Sequence, residues 1–168
     1  EDGDSAQDRS HTPLAELLNV VLHHSAVDLF RLDEDGVAVA QLISSLLHDD
    51  IFPDYINAHG TATRLNDVVE TRGIRRALKE KANHVLVSST KAATGHLLGA
   101  AGALEAALCV LSLRDQIVPP TLNLTDPDPD CDLNYVAGTA IKKKMNATVS
   151  LSYGFGGQMG GVLFQRYG

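Results

Sequence analysis

The chain has 168 residues, 44% hydrophobic and 21% charged, and 14 Lys+Arg against 21 Asp+Glu leave a formal charge of -7. That is the size of one domain, or of one half of a larger fold, with the composition of a globular protein. The acidic balance speaks against a nucleic-acid partner and no apolar run approaches the roughly 18 residues of a membrane span; two cysteines are too few for a disulfide framework and are not at metal-ligand spacing with histidine, so a reducing cytoplasm and no metal site are expected.

Residues 1–13 are polar and acidic and read as a flexible tail, because they cannot bury enough surface to offset the entropy of ordering. From Leu14 to Leu32 the chain is dense in aliphatic residues whose period does not separate helix from strand; it is read as extended. Val39, Leu42, Ile43, Leu46 and Leu47 recur at helical spacing and predict a helix over Val37 to His48. Tyr55 to Ala58 is a short apolar strand running into the turn His59-Gly60-Thr61. Asn66 or Asp67 is placed to cap a helix over Asp67 to Lys81, with Glu70 in its first turn and Arg72, Arg75, Arg76 and Lys79 later, as the helix dipole favours.

Val85 to Val87 is the next buried strand, and the loop Ser88 to Gly95 follows it. Leu97 to Leu113 predicts an apolar helix about 25 Å long, whose small residues Gly99, Ala100, Ala103 and Ala107 suit a central position. Pro119-Pro120 closes this unit and Asp126 to Asp132 is a loop. Thr148 to Tyr153 and Gly161 to Gln165 read as strands around a glycine-rich turn. Strands alternating with helices define an α/β layer fold.

His59 follows a strand and His96 opens a helix, the places where loops at the carboxyl ends of strands gather reactive groups; local packing is the alternative for each. Lys91, in a polar loop after a buried strand, needs solvent or a carboxylate. Glu105, on an apolar helix, must be paired or exposed, so the two either pair or both reach water. The turn around Phe155 is either an ordinary hairpin or a set of glycine-freed N–H groups forming an oxyanion hole with Phe155 as a movable cover. It lacks a strand feeding a helix through a GxGxxG run, which excludes a dinucleotide site. No nucleophile stands out: Cys109 lies among apolar residues, and Cys131 sits in the acidic run Asp130-Cys131-Asp132. General acid/base and hydrogen-bonding groups without an attacking group look like part of a site.

Asn57-Ala58-His59-Gly60-Thr61-Ala62-Thr63, Asn66-Asp67, Glu70-Thr71, Ser88-Ser89-Thr90-Lys91, Gly95-His96 and Gly154-Phe155-Gly156-Gly157 together resemble the β-ketoacyl-acyl-carrier-protein synthases, elongating fatty-acid and type II polyketide types. The resemblance implies a thiolase-like fold of two similar α/β halves, of which this chain is the C-terminal one over residues 14–168, with a mixed sheet and helices on both faces. It implies a decarboxylative Claisen condensation of malonyl carrier protein with an acyl thioester. His59 and His96 would bind the malonyl thioester carbonyl, with Lys91 the active-site lysine and Glu105 its partner. Asp67 and Glu70 would be supporting acids, Thr61 and Thr63 contacts of the phosphopantetheine arm, and Phe155, with Gly154 and Gly156, the gating and oxyanion turn. The implied partners are an N-terminal half carrying the nucleophilic cysteine, which neither cysteine here matches, an acyl carrier protein, and a second ketosynthase copy in a dimer. No cofactor is implied beyond the arm that the carrier delivers. Arg64, Arg72, Arg75 and Arg76 are candidates for docking an acidic carrier.

This chain departs from the family pattern at Met159 (usually Asn), Gln158 (Thr), Arg64 (Pro), Arg31 (often His, after Asp28), and Asn19 and Val21 (glycines). A second expectation, of another class, is a non-catalytic chain-length-factor-like partner; retention of both histidines and the lysine argues against it. A third is a fragment with only a folding or interaction role.

Overall fold

In chain order the elements are β1 (Ala15–His24), α1 (Val37–Leu46), β2 (Tyr55–Asn57), α2 (Asn66–Leu78), β3 (Leu86–Ser88), α3 (Lys91–Thr94), α4 (Ala101–Asp115), β4 (Ile117–Val118), β5 (Asn134–Tyr135), β6 (Ile141–Lys142), β7 (Ala147–Tyr153) and β8 (Gln158–Arg166). The computed structural model describes residues 11–25, 33–47 and 51–168. Residues 1–10 of the expected tail, the end of the first extended stretch with Asp28 and Arg31, and His48 lie outside them.

Six strands form one sheet in the order β1-β8-β7-β2-β3-β5; β7, β2, β3 and β5 run parallel, and β1 and β8 pair antiparallel. The short central strands are buried along their whole length, as a parallel sheet covered on both faces requires. Side chains alternate between the faces. Ile56, Val87, Val149 and Leu163 pack with Leu42 and Leu46 of α1 and Val69 and Ile74 of α2, whereas Tyr55 and Leu86 pack with Cys109 and Leu113 of α4. The α/β reading with helices on both faces therefore holds.

α1 starts where the sequence places it; the Asp33 carboxylate accepts the Val37 and Ala38 N–H groups, which the helix leaves unpaired. It approaches α2 closely, because a Cβ at Gly73 would lie 2.4 Å from Val39 Cβ. Neither Asn66 nor Asp67 caps α2: Leu65 holds the cap position without a side-chain bond, and the Asn66 N–H reaches Thr63 Oγ1 at 3.4 Å. α2 also stops at Leu78, since Lys79 takes a left-handed φ of 52° and the chain continues as a 3₁₀ turn, Lys79–His84.

The apolar helix begins at Ala101, four residues later than its composition suggests, after a 3₁₀ turn over Leu98–Ala100 that starts at a left-handed Leu98. Nor is it central within this chain. Ala101, Glu105, Cys109, Ser112 and Leu113 are buried, whereas Ala103, Ala107 and Leu111 face outward. Apolar residues all round a helix that is covered on one side signal a second surface to be covered.

Candidate functional site

The loops that follow β2, β3 and β7, three neighbouring strands, carry His59, Lys91 with His96, and Phe155. Parallel pairing aligns their carboxyl ends and so brings together residues up to 96 positions apart.

His59 is buried and held from both sides. The Glu70 carboxylate accepts the N–H of His59 at 2.8 Å and of Gly60 at 2.9 Å, and the Ser89 hydroxyl donates to the Gly60 carbonyl at 2.8 Å. The Tyr153 N–H donates to His59 Nδ1 at 3.2 Å, which makes that nitrogen an acceptor and leaves the ring proton on Nε2. His96 is fixed by the same device: Leu98 N–H donates to its Nδ1 at 3.2 Å. The two rings meet edge to face with centroids 5.7 Å apart. Each imidazole thus accepts a backbone N–H at Nδ1, which leaves Nε2 of both rings as the donor. Burial, followed by the nearby Lys91 and His96 charges, holds the His59 pKa at about 3. Burial has the opposite sign for Glu70 and lifts it to about 7 against its two backbone N–H bonds.

Lys91 and Glu105 do pair. Both are buried, Lys91 Nζ donates to Glu105 Oε1, and the Ser152 hydroxyl donates to Oε2 at 3.4 Å. Thr61, Thr63, Arg64, Asp67, Lys91 and His96 line one cleft of about 640 Å³. The Thr61 and Thr63 hydroxyls lie 3.4 Å apart, and Asp67 accepts the Asn66 side-chain amide.

The glycine turn is the hairpin that joins β7 to β8. Gly154 donates its N–H to the Gln158 carbonyl at 2.8 Å, so that group serves the hairpin, which corrects its expected part in an oxyanion hole. Phe155 is 80% exposed. Gly157 cannot be replaced without moving the chain, since it has φ +73° and a Cβ there would lie 1.9 Å from the Ser25 carbonyl oxygen. Met159 packs in the core under α1 and α2. Cys109 donates its thiol toward the Val149 carbonyl and burial pushes it up to about 12; Cys131, also raised by burial, lines the cleft wall. Of the four arginines, Arg72 donates to the Glu34 carbonyl, Arg75 is held by Asp132 and Asn83, and Arg64 borders the cleft.

Sequence reasoning missed Tyr153, Leu98, Ser89 and Ser152. Tyr153 and Leu98 act through backbone N–H groups, which leave no mark in residue type. Ser89 lies within a motif already singled out.

The α/β architecture with a site at the carboxyl ends of parallel strands is that of the thiolase-like ketosynthases. A solved type II polyketide ketosynthase, in complex with its acyl carrier protein and bound to a hexaketide, matches 100% of this chain and 42% of its own, with a TM-score of 0.95 and 34% identity. The ishigamide ketosynthase/chain length factor matches 98% of this chain and 41% of its own, with a TM-score of 0.88 and 29% identity. Residues 14–125 match the family described as the β-ketoacyl synthase C-terminal domain, and the chain belongs to that family. The 3-oxoacyl-[acyl-carrier-protein] synthase 2 of Vibrio harveyi is 43% identical over 99% of this chain and 41% of its own length. The actinorhodin polyketide putative β-ketoacyl synthase 1 of Streptomyces coelicolor is 44% identical over 94% of this chain and 34% of its own. The chain thus spans about two-fifths or less of the relatives it matches.

Proposed function

We propose that this chain supplies the malonyl-binding part of a β-ketoacyl-acyl-carrier-protein synthase, an acyltransferase whose nucleophilic cysteine lies on a separate N-terminal part. The observation that carries the reading is the pair of backbone-fixed imidazoles. A thioester carbonyl oxygen between two Nε2–H groups is stabilised as negative charge develops on it, and rings already held by backbone amides need little reorganisation during reaction. Loss of CO₂ from the malonyl group breaks its C–C bond and passes the electron pair to an enolate, whose oxygen those donors hold. The enolate carbon then attacks the acyl thioester on the cysteine, and the cysteine thiolate leaves. Burial, and after it the charge of Lys91, disfavours a protonated His59 and so keeps that donor neutral. Thr61 and Thr63 contact the phosphopantetheine arm of the carrier, Phe155 covers the entrance, and no diffusible cofactor takes part.

Exposed apolar residues support the separate part. Asn19 reaches α1 through its side-chain amide, so Val20 and Leu22 point to the other face of the sheet, the face of α4; Leu22 is 86% exposed and Leu98 74%. Residues 92–100, with His96 among them, are exposed as well. A covering part would bury this surface and shut water from His96. Among the described residues no helix is long and apolar enough to cross a membrane. We place the assembled enzyme in the cytoplasm as a ketosynthase dimer.

The test is reconstitution. Combined with a cysteine-bearing N-terminal part, this chain is expected to release CO₂ from malonyl carrier protein and form β-ketoacyl product, while either part alone does neither. An inactive but stoichiometric complex would contradict the catalytic reading and favour a partner role.

A further inference from the structure

We propose that the Tyr153 side chain is a positioning residue for His59, acting through a hydrogen bond from its hydroxyl to Glu70; the inference rests on the reading of His59 as a malonyl-binding donor. Two contacts between Tyr153 and the imidazole are direct. The Tyr153 N–H donates to Nδ1 at 3.2 Å, and the two ring centroids lie 5.0 Å apart at a tilt of 46°. The third hold runs through Glu70, whose carboxylate oxygens each take one backbone N–H, Oε1 that of His59 at 2.8 Å and Oε2 that of Gly60 at 2.9 Å. A carboxylate offers about four lone-pair sites, so Glu70 has room for a further donor.

The Tyr153 hydroxyl supplies that donor. It is buried, and no described residue meets it at full hydrogen-bond geometry, an arrangement that costs free energy until a partner is taken up. Burial, followed by the charge of the neighbouring Glu70, holds the phenol well above its ordinary value. Glu70, raised by burial, is drawn back by the two backbone N–H groups and then by this hydroxyl, with the Asp67 charge acting the other way. The Tyr135 hydroxyl has spent its proton: Thr71 Oγ1 donates to the Asp67 carbonyl at 2.6 Å, so it receives the Tyr135 O–H, also at 2.6 Å. For the Tyr153 proton a carboxylate is a stronger acceptor than a phenol oxygen, because the bond is charge-assisted. That bond ties the end of β7 to α2 across the His59 loop. It also keeps Glu70 ionised near neutral pH, whereas a protonated carboxyl is a poorer acceptor for the His59 and Gly60 N–H groups.

Titration of the Glu70 carboxyl by ¹³C NMR, in the isotope-labelled chain and in Tyr153→Phe, tests this. Phenylalanine keeps the ring and the backbone N–H and removes only the hydroxyl. The Glu70 midpoint is expected to rise by about one pH unit, the value of one hydrogen bond to a charged group. The His59 and Gly60 amide protons should exchange faster with solvent. A tyrosine that only fills the core would move neither, so an unchanged or lowered Glu70 midpoint, or unchanged amide exchange, would overturn the proposal. The unmodified chain offers a check that needs no variant: the Tyr153 hydroxyl proton is expected as a slowly exchanging resonance that shifts as Glu70 titrates, and a hydroxyl indifferent to Glu70 would overturn the proposal as well. In the reconstituted pair Tyr153→Phe should lower kcat about tenfold with KM for malonyl carrier protein unchanged, and an unchanged kcat would contradict the positioning role. An unmodified pair without activity counts against the catalytic reading alone, since the Glu70 titration is read in this chain by itself.

Discussion

His96→Ala in the reconstituted enzyme is expected to lower malonyl decarboxylation and condensation by about 10²- to 10³-fold, the usual effect of removing one donor from a pre-aligned oxyanion site. Transfer of the acyl group to the cysteine of the other part should survive, because the proposed role of His96 lies on the malonyl side. His59→Ala should have at least as large an effect, since the buried His59 ring also takes up the Tyr153 N–H and packs 5.0 Å from the Tyr153 ring. Rapid-quench measurement of acyl-enzyme beside product formation separates the two steps. Equal loss of both would mean that His96 holds the fold and not the enolate.

The second large effect concerns stability. Glu105→Ala leaves the Lys91 ammonium buried without its counter-charge, and breaking a buried pair from one side costs about 3–5 kcal/mol. Lys91→Met combined with Glu105→Leu should recover most of that loss, since well-packed apolar replacements of buried pairs are often neutral. The recovered double variant should still fail in condensation, which separates the catalytic value of the pair from its structural cost. Urea midpoints of the unmodified chain and the two variants provide the check. If the double variant is as unstable as Glu105→Ala, the ion pair stabilises the fold outright.

Much of this site was legible in the sequence because its chemistry sits at element ends that side chains announce. His59-Gly60 after the strand Tyr55 to Ala58, and the loop with Lys91 after Val85 to Val87, could be read as strand ends. The Lys91–Glu105 pairing was one of two open answers, because spacing alone does not tell which face of α4 is buried. That helix is apolar all round, and its true ends depend on a left-handed Leu98, a conformation no leucine advertises. The α2 cap was misread for a related reason: Asn66 and Asp67 are good capping types, but the loop from Gly60 to Arg64 brings Leu65 to the cap position. The glycine context around Phe155 leaves a hairpin and an oxyanion hole both open, and the hairpin register, set by pairing of β7 with β8, claims the Gly154 N–H. The fixation of both imidazoles by backbone amides had no signature at all, since every residue except proline carries the same N–H.

That fixation can be read directly from the imidazole nitrogens of His59 and His96 in the isotope-labelled chain, through a ¹⁵N NMR titration from neutral pH downward. Both rings are expected to carry their proton on Nε2. His59, held at about 3 by burial and the Lys91 charge, is expected to stay neutral well below the pH at which a free histidine protonates, near 6.5. A proton on Nδ1 of either ring at neutral pH, or a His59 that titrates near 6.5, would contradict the claim that this chain presents two Nε2–H donors held by backbone amides.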